Sequence, residues 1–343
     1  MGGVQRRRIL YIHAGGGIGG APMSLFYLLQ QLDRTRYEPI VVVLAPGPVV
    51  EMYREAGIET HVASGISDFS HTALEWYGRR ELWRLPGRLL AFIPSIIRTR
   101  ALLRRFRPDL VHLNSSPLAP CGIACKLESV PVVWHIREPL ARGYMGLRRW
   151  LYREIIDRCA QRIVAISHYD ASLLKPSDAI RVIYNFVDFT TFDRSLDGSA
   201  VRVELGIPAD APAIAMLGGI AEPKGALVLV EALGRLIRRV PDVRVIIAGP
   251  PPAALGQPGI KGAIKRLLRV DAYQEAVQTA MAHLPEQARA ALIFTGIRRD
   301  MPRVIAAANC VVFPSVVPHF ARPLVEAAAM GKPGIGSRLG GPE

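Results

Sequence analysis

Long hydrophobic runs are missing from this 343-residue chain, although half of its residues are apolar. No segment offers the roughly 18 uncharged apolar residues that a membrane-spanning helix needs. No secretory leader is expected either. Arg6-Arg7-Arg8 is followed only by Ile9 to Ile12 before glycines intervene, and that stretch reads as a first buried strand. The expectation is a cytoplasmic protein. Cysteine is scarce: Cys121 and Cys125 lie four apart rather than as a CxxC pair, and Cys159 and Cys310 stand alone. That spacing argues against a disulfide framework or a cysteine metal site and leaves reduced core thiols. Lysine occurs only six times, so the net charge of +14 is carried almost wholly by arginine. Such an excess points to an anionic partner: nucleic acid, an acidic membrane surface or a phosphorylated ligand. Aromatic residues are few and not arrayed for base stacking, which speaks against nucleic acid.

What is present is a repeated alternation of β-branched bursts with amphipathic stretches. Strands are expected at Ile9–His13, Pro39–Leu44, Leu110–Leu113, Val130–Trp134, Arg162–Ile166 and Arg181–Tyr184. The pattern restarts with Ala213–Leu217, Val243–Ala248, Leu292–Thr295 and Cys310–Phe313. Strands alternating with helices imply parallel sheets covered on both faces. The polar segment Asp188 to Pro212 is the weakest link, so the boundary is placed near residue 196, giving domains 1–196 and 197–343. The fold class is α/β, two doubly wound Rossmann-like domains, with ligands expected in a cleft at the strand C-terminal ends. Four or five strands follow residue 212, and the chain stops in a Gly-rich turn, Gly340 to Glu343; a shortened second domain is the expectation.

Four runs carry chemistry. The glycine loop His13 to Ala21 follows a strand and opens a helix, so its exposed N–H groups favour a phosphate or other anion. Its spacing is looser than a dinucleotide fingerprint. Leu44 and Ala45 stand where a dehydrogenase would place an acid after its second strand, so a dehydrogenase is a weak alternative. His112-Leu113-Asn114-Ser115-Ser116 and Trp134-His135-Ile136-Arg137-Glu138 put polar groups just after apolar bursts. Leu217 to Gly225 is again strand, turn and helix start, and Lys224 at its mouth can meet a diphosphate as a point charge. In the run Phe313 to Pro333, Arg322 and Pro323 mark a helix N-terminus suited to phosphate. Glu326, one turn inside, can accept hydrogen bonds from a pair of ribose hydroxyls.

Together these runs resemble the GT-B glycosyltransferases of family 4, retaining enzymes that use nucleotide-sugar donors without a metal ion. The most specific part is Phe320-x-x-Pro323-x-x-Glu326-Ala327-x-Ala329-x-Gly331-x-Pro333, with Gly340-Gly341-x-Glu343. The resemblance implies a donor site of Gly19, Gly20, Lys224, Arg322 and Glu326, with Glu326 on the ribose and Lys224 on the diphosphate. It implies that His135 contacts the donor sugar, with Glu138 beside it as the second catalytic candidate. Asn114, Arg137 and His319 are expected at the acceptor or the sugar. No cofactor and no metal are expected. Two positions depart from the family pattern: Pro318 stands where its first glutamate would be, and Gly219 where an arginine often lies. They keep a second reading open, a non-catalytic sugar-nucleotide-binding relative.

Nine arginines and one acid, Glu81, lie between Arg79 and Arg107, interleaved with Leu, Ile, Phe and Trp. Leu89 to Phe106 suits a helix with an apolar and a basic face, interrupted at Pro94. A second basic cluster, Arg142 to Arg153, contains Tyr144, Trp150 and Tyr152 as aromatic anchors. The expected partners are a nucleotide-sugar donor, an envelope-glycan or lipid-linked acceptor, and the anionic inner face of the cytoplasmic membrane. Nucleic acid is not among them.

Overall fold

The structure is a computed structural model that describes residues 6–68, 85–252 and 272–341. Residues 79–84 of the basic stretch, the Tyr144 side chain and the final Pro342-Glu343 lie outside it. The chain divides into two compact units, Met1–Asn185 and Phe186–Glu343. The division falls ahead of residue 196 because Val187 and Phe192 already pack in a core of the second unit.

The first unit is a seven-stranded sheet in the order β3-β2-β1-β4-β5-β6-β7. Its strands are β1 (Arg7–His13), β2 (Tyr37–Val43), β3 (Glu59–Val62), β4 (Leu110–Leu113), β5 (Val132–Ile136), β6 (Arg162–Ala165) and β7 (Ile180–Val182). The second unit orders its five strands β10-β9-β8-β11-β12. These are β8 (Ala213–Leu217), β9 (Arg244–Ala248), β10 (Leu292–Phe294), β11 (Cys310–Phe313) and β12 (Gly334–Gly336). Every pairing is parallel, as the alternation with helices required. The strand bursts are nearly all apolar because helices cover both faces. Leu10 and Ile12 of β1 enter one core, while Ile9 and Tyr11 enter the other. In the second unit Ala215 and Leu217 face one core and Met216 faces the other.

Three local differences matter. β3 was not expected: Glu-Thr-His-Val has too little apolar content to register as a strand, yet it pairs with β2 at the sheet edge. β5 begins two residues later than expected, so His135 lies inside the strand rather than beyond its end. The basic stretch breaks at Ala91, between helices Leu85–Leu90 and Phe92–Phe106. Pro94 sits in the first turn of the second helix, where its missing N–H costs nothing. Three cysteines are buried and Cys310 is half-buried; burial pushes the Cys121 thiol up to about 12. Trp134 is fully buried, its Nε1 donating to the Ser115 carbonyl at 2.9 Å, and Trp150 is exposed. Among the described residues no helix is long and apolar enough to cross a membrane.

Candidate functional site

In the first unit the glycine loop joins β1 to the helix Gly20–Gln30. Its glycines differ in kind. A side chain at Gly16 would drive into the Pro46 carbonyl at 2.2 Å, and one at Gly47 into the Gly16 carbonyl at 2.3 Å. The Gly16 carbonyl also accepts from the Val49 amide at 3.1 Å. Gly16 and Gly47 are therefore where two loops cross backbone to backbone. At Gly19 and Gly20 a Cβ would meet nothing within 4 Å, so those two border open space. Gly19 is the helix N-cap in extended backbone, with no side-chain cap.

Beside this loop a polar cluster fills the C-terminal ends of β1, β4 and β5. Asn114 is fully buried; its Nδ2 faces Nδ1 of His13 at 3.3 Å and donates to the Ala21 carbonyl at 3.2 Å. Its Oδ1 accepts from Arg137 Nε at 3.0 Å, and Arg137 Nη1 donates to Asn185 Oδ1 at 3.0 Å. Asn114 thus binds the glycine loop to Arg137, a charge-assisted link. Glu138 Oε1 accepts from Ser115 Oγ, the Ser116 amide and Ser116 Oγ at 2.6, 2.9 and 2.7 Å. Its carboxylate holds the turn after β4 in place.

His135 lies on the sheet face and not among these groups. Its ring stands 5.4 Å from that of His112, which is 5.1 Å from that of Tyr11. Both of its ring nitrogens are buried with no hydrogen-bond partner in the protein, as is Nε2 of His112. Burial, then the Arg137 charge, holds His135 far below the usual histidine range and His112 at about 3. The same two causes put His13 at about 4. All three rings are neutral at physiological pH.

In the second unit the loops after β8, β9 and β11 converge. A Cβ at Gly249 would lie 2.4 Å from the Gly219 Cα, and one at Gly225 only 1.8 Å from the Pro314 carbonyl. Gly225, at φ 74°, ends the short turn Glu222–Lys224 and opens the helix Ala226–Arg239. Lys224 Nζ donates to the Gly218 carbonyl at 2.9 Å, and burial lowers its pKa. Its charge reaches His319, which burial and then Lys224 together hold at about 4. His319 Nδ1 accepts from the Ala321 amide at 3.1 Å, and its ring packs 5.1 Å from that of Phe313. Ala321 occupies the left-handed region (φ 53°, ψ 49°) as N-cap of the helix Arg322–Ala329. Arg322 Nε donates to Glu326 Oε1 at 2.9 Å, both side chains being largely buried. Burial raises the Glu326 pKa and Arg322 opposes the rise.

Of the expected residues, Lys224 lies within charge reach of His319, and Arg322 pairs with Glu326, both pairs on segments that follow strands of the second unit. Asn114 and Arg137 meet, with the glycine loop, in the first. Sequence reasoning passed over His13, Asn185 and Ser315. Asn185 and His13 are polar residues at strand ends, a signal already used for Asn114. Ser315 Oγ is buried without a partner, and its motif neighbours gave no hint of that. Among the described residues no group of three or more His, Cys, Asp or Glu side chains gathers as metal ligands.

Two sheets of parallel strands with polar groups at their C-terminal ends define a GT-B-type α/β protein. The Glycosyltransferase Family 4 profile matches residues 18–191, and the Glycosyl transferases group 1 profile matches residues 211–343. The chain belongs to glycosyltransferase family 4. It is 28% identical over 325 residues to the D-inositol 3-phosphate glycosyltransferase of Saccharomonospora viridis, covering 89% of this chain and 67% of the relative. Against that of Mycolicibacterium vanbaalenii it is 29% identical over 276 residues, 75% of this chain and 58% of the relative. The chain thus spans about three fifths to two thirds of these relatives. Among solved structures, Anabaena Alr3699/HepE in complex with UDP and glucose is similar with a TM-score of 0.72 at 21% identity, over 97% of this chain and 81% of that one. A Rickettsia africae glycosyltransferase gives 0.69 at 18%, over 98% and 80%. These structural likenesses show the fold.

Proposed function

We propose that the protein transfers a sugar, with retention, from a nucleoside-diphosphate sugar to an envelope-glycan or lipid-linked acceptor, without a metal ion. What supports this is a pair of polar groupings at the strand ends of the second unit, Lys224 with His319 and Arg322 with Glu326, in a member of this family. Relatives named as glycosyltransferases and a fold neighbour in complex with UDP and glucose support a nucleotide-sugar donor. Glu326 takes the ribose, and Lys224 and Arg322 with the helix N-terminal amides take the diphosphate. The glycosidic C–O bond breaks with positive charge on the anomeric carbon and negative charge on the leaving diphosphate. Cationic groups already in place stabilise that leaving group, the part a divalent ion plays in other transferases. The acceptor hydroxyl attacks from the same face and its proton passes to the departing phosphate oxygen.

The expected catalytic pair enters this reading in a changed role. Glu138 fixes the turn after β4 through Ser115 and Ser116, and His135 lies buried inside β5, two residues before Arg137. Arg137, with Asn114 behind it, stands beside the glycine loop. Peripheral attachment to the anionic inner face of the membrane completes the proposal, supported by the arginine excess of the first unit. The non-catalytic alternative draws on Pro318 and Gly219. A turnover assay with labelled UDP- and GDP-sugars tests both readings, before and after EDTA. We expect product release by the intact protein, unaffected by EDTA, and a loss of about a hundredfold or more in Lys224→Ala and Glu326→Ala, since each removes a charge-assisted contact. Binding without turnover would favour the alternative; dependence on added metal would overturn the metal-free step.

A further inference from the structure

Two stretches of the first unit are apolar where a helix surface ordinarily carries charge. Leu89, Leu90, Ile93 and Ile97, on helices Leu85–Leu90 and Phe92–Phe106, are 55%, 79%, 62% and 60% exposed. At the start of helix Leu147–Cys159, Met145, Leu147 and Trp150 are 100%, 61% and 59% exposed. Tyr152, expected as an anchor, is instead buried beneath the Arg148 guanidinium. No Asp or Glu occurs from Leu85 to Phe106 or from Pro139 to Arg153, stretches that hold five and four arginines. Arg98, Arg105 and Arg142 are exposed.

The topology puts both stretches at one edge. Helices Phe92–Phe106, Ala119–Leu127 and Leu147–Cys159 pack in that order on a single core, hence on one face of the sheet. In a parallel sheet a crossover helix ends where the next strand begins, so its start lies at the strand C-terminal edge. Direct contacts agree. Ser95 Oγ takes the amide of Ser67, five residues past β3, at 2.8 Å, and Arg149 Nε donates to the Leu140 carbonyl, just past β5, at 2.9 Å. The starts of the two outer helices, with their exposed apolar residues, therefore flank the edge where Arg137 and the glycine loop stand.

We infer that this edge is a lipid-docking surface, on which Ile93, Ile97, Met145 and Trp150 enter the interfacial layer of an anionic bilayer while Arg98 and Arg142 meet its headgroups. The inference rests on the membrane reading above and adds to it the surface and its mode, shallow apolar insertion beside the site. A second copy of the chain fits less well, because it would set these arginines against their own kind.

The test is flotation of the full chain with vesicles of phosphatidylcholine, alone or mixed with phosphatidylglycerol. Binding to the mixed vesicles is expected, with a blue shift of tryptophan emission that is lost in Trp150→Phe. Ile93→Ser with Ile97→Ser, and separately Met145→Ser with Trp150→Ser, should each weaken binding by about tenfold or more, given the transfer free energy of the side chains removed. All four residues are exposed, so circular dichroism should be unchanged. If the unaltered protein binds no vesicle, the membrane reading fails and this inference with it. If it binds and the variants bind equally, the reading survives and the surface is wrong. Self-association abolished by the same substitutions, without vesicle binding, would assign the surface to a second copy and overturn the inference.

Discussion

At Ala321 a methyl group occupies backbone that glycine tolerates best. A left-handed non-glycine residue costs about 1–2 kcal/mol, and glycine's extra unfolded-state freedom offsets about 0.5–1 of that. Ala321→Gly should therefore stabilise the second unit by up to about 1 kcal/mol in urea unfolding; a loss of stability would show that the methyl packs better than its strain costs. The histidines make a second residue-scale prediction. His13 and His319 sit near 4 and His112 near 3, against 6.5 when unfolded. A depressed folded pKa gives stability that is fully present above 6.5 and lost as pH falls towards 4, because the unfolded chain binds the proton first. Each such ring contributes a slope of about 1.4 kcal/mol per pH unit within that window. Equal denaturation midpoints at pH 7 and pH 5 would sink this account. Arg137 and His135 separate by assay: Arg137→Ala should lower turnover more than stability, and His135→Gln the reverse.

At the scale of elements, the two kinds of glycine in one loop respond differently. Gly16→Ala forces a methyl onto the Pro46 carbonyl and should cost about 2–4 kcal/mol. Gly19→Ala meets open space and should leave stability within about 0.5 kcal/mol while lowering turnover if the donor phosphates lie there. Comparable destabilisation by the two changes, measured by thermal melting, would contradict the loop crossing. The loop as a whole was legible in the sequence because a strand, glycines and an amphipathic helix follow in order; which glycine is sterically required was not, since Pro46 and Gly47 approach from another loop. The apolar strands were legible for the same local reason. β3 was hidden because edge strands need only one apolar face, and β5 was misjudged by two residues, which moved His135 from the strand's end to its middle. The placement of Lys224, Arg322 and Glu326 at or near helix starts was legible because Pro and Gly mark those starts. The Arg322–Glu326 pair was readable as an i,i+4 spacing and went unremarked.

Over the whole molecule, each unit has its own cores, so a ligand stabilises the unit whose groups hold it. A nucleoside diphosphate at a hundred times its dissociation constant adds about 2.7 kcal/mol to that unit. With Lys224 and Glu326 as the main contacts, calorimetry should show the gain in the transition of residues 186–343. The burial seen at Trp134 and the exposure at Trp150 have an optical counterpart. All four tryptophans of the chain precede residue 186, and the second unit contains none. Ultraviolet emission excited at the red edge therefore watches one half of the polypeptide while the other stays dark, and the two halves can be followed separately without attaching a dye.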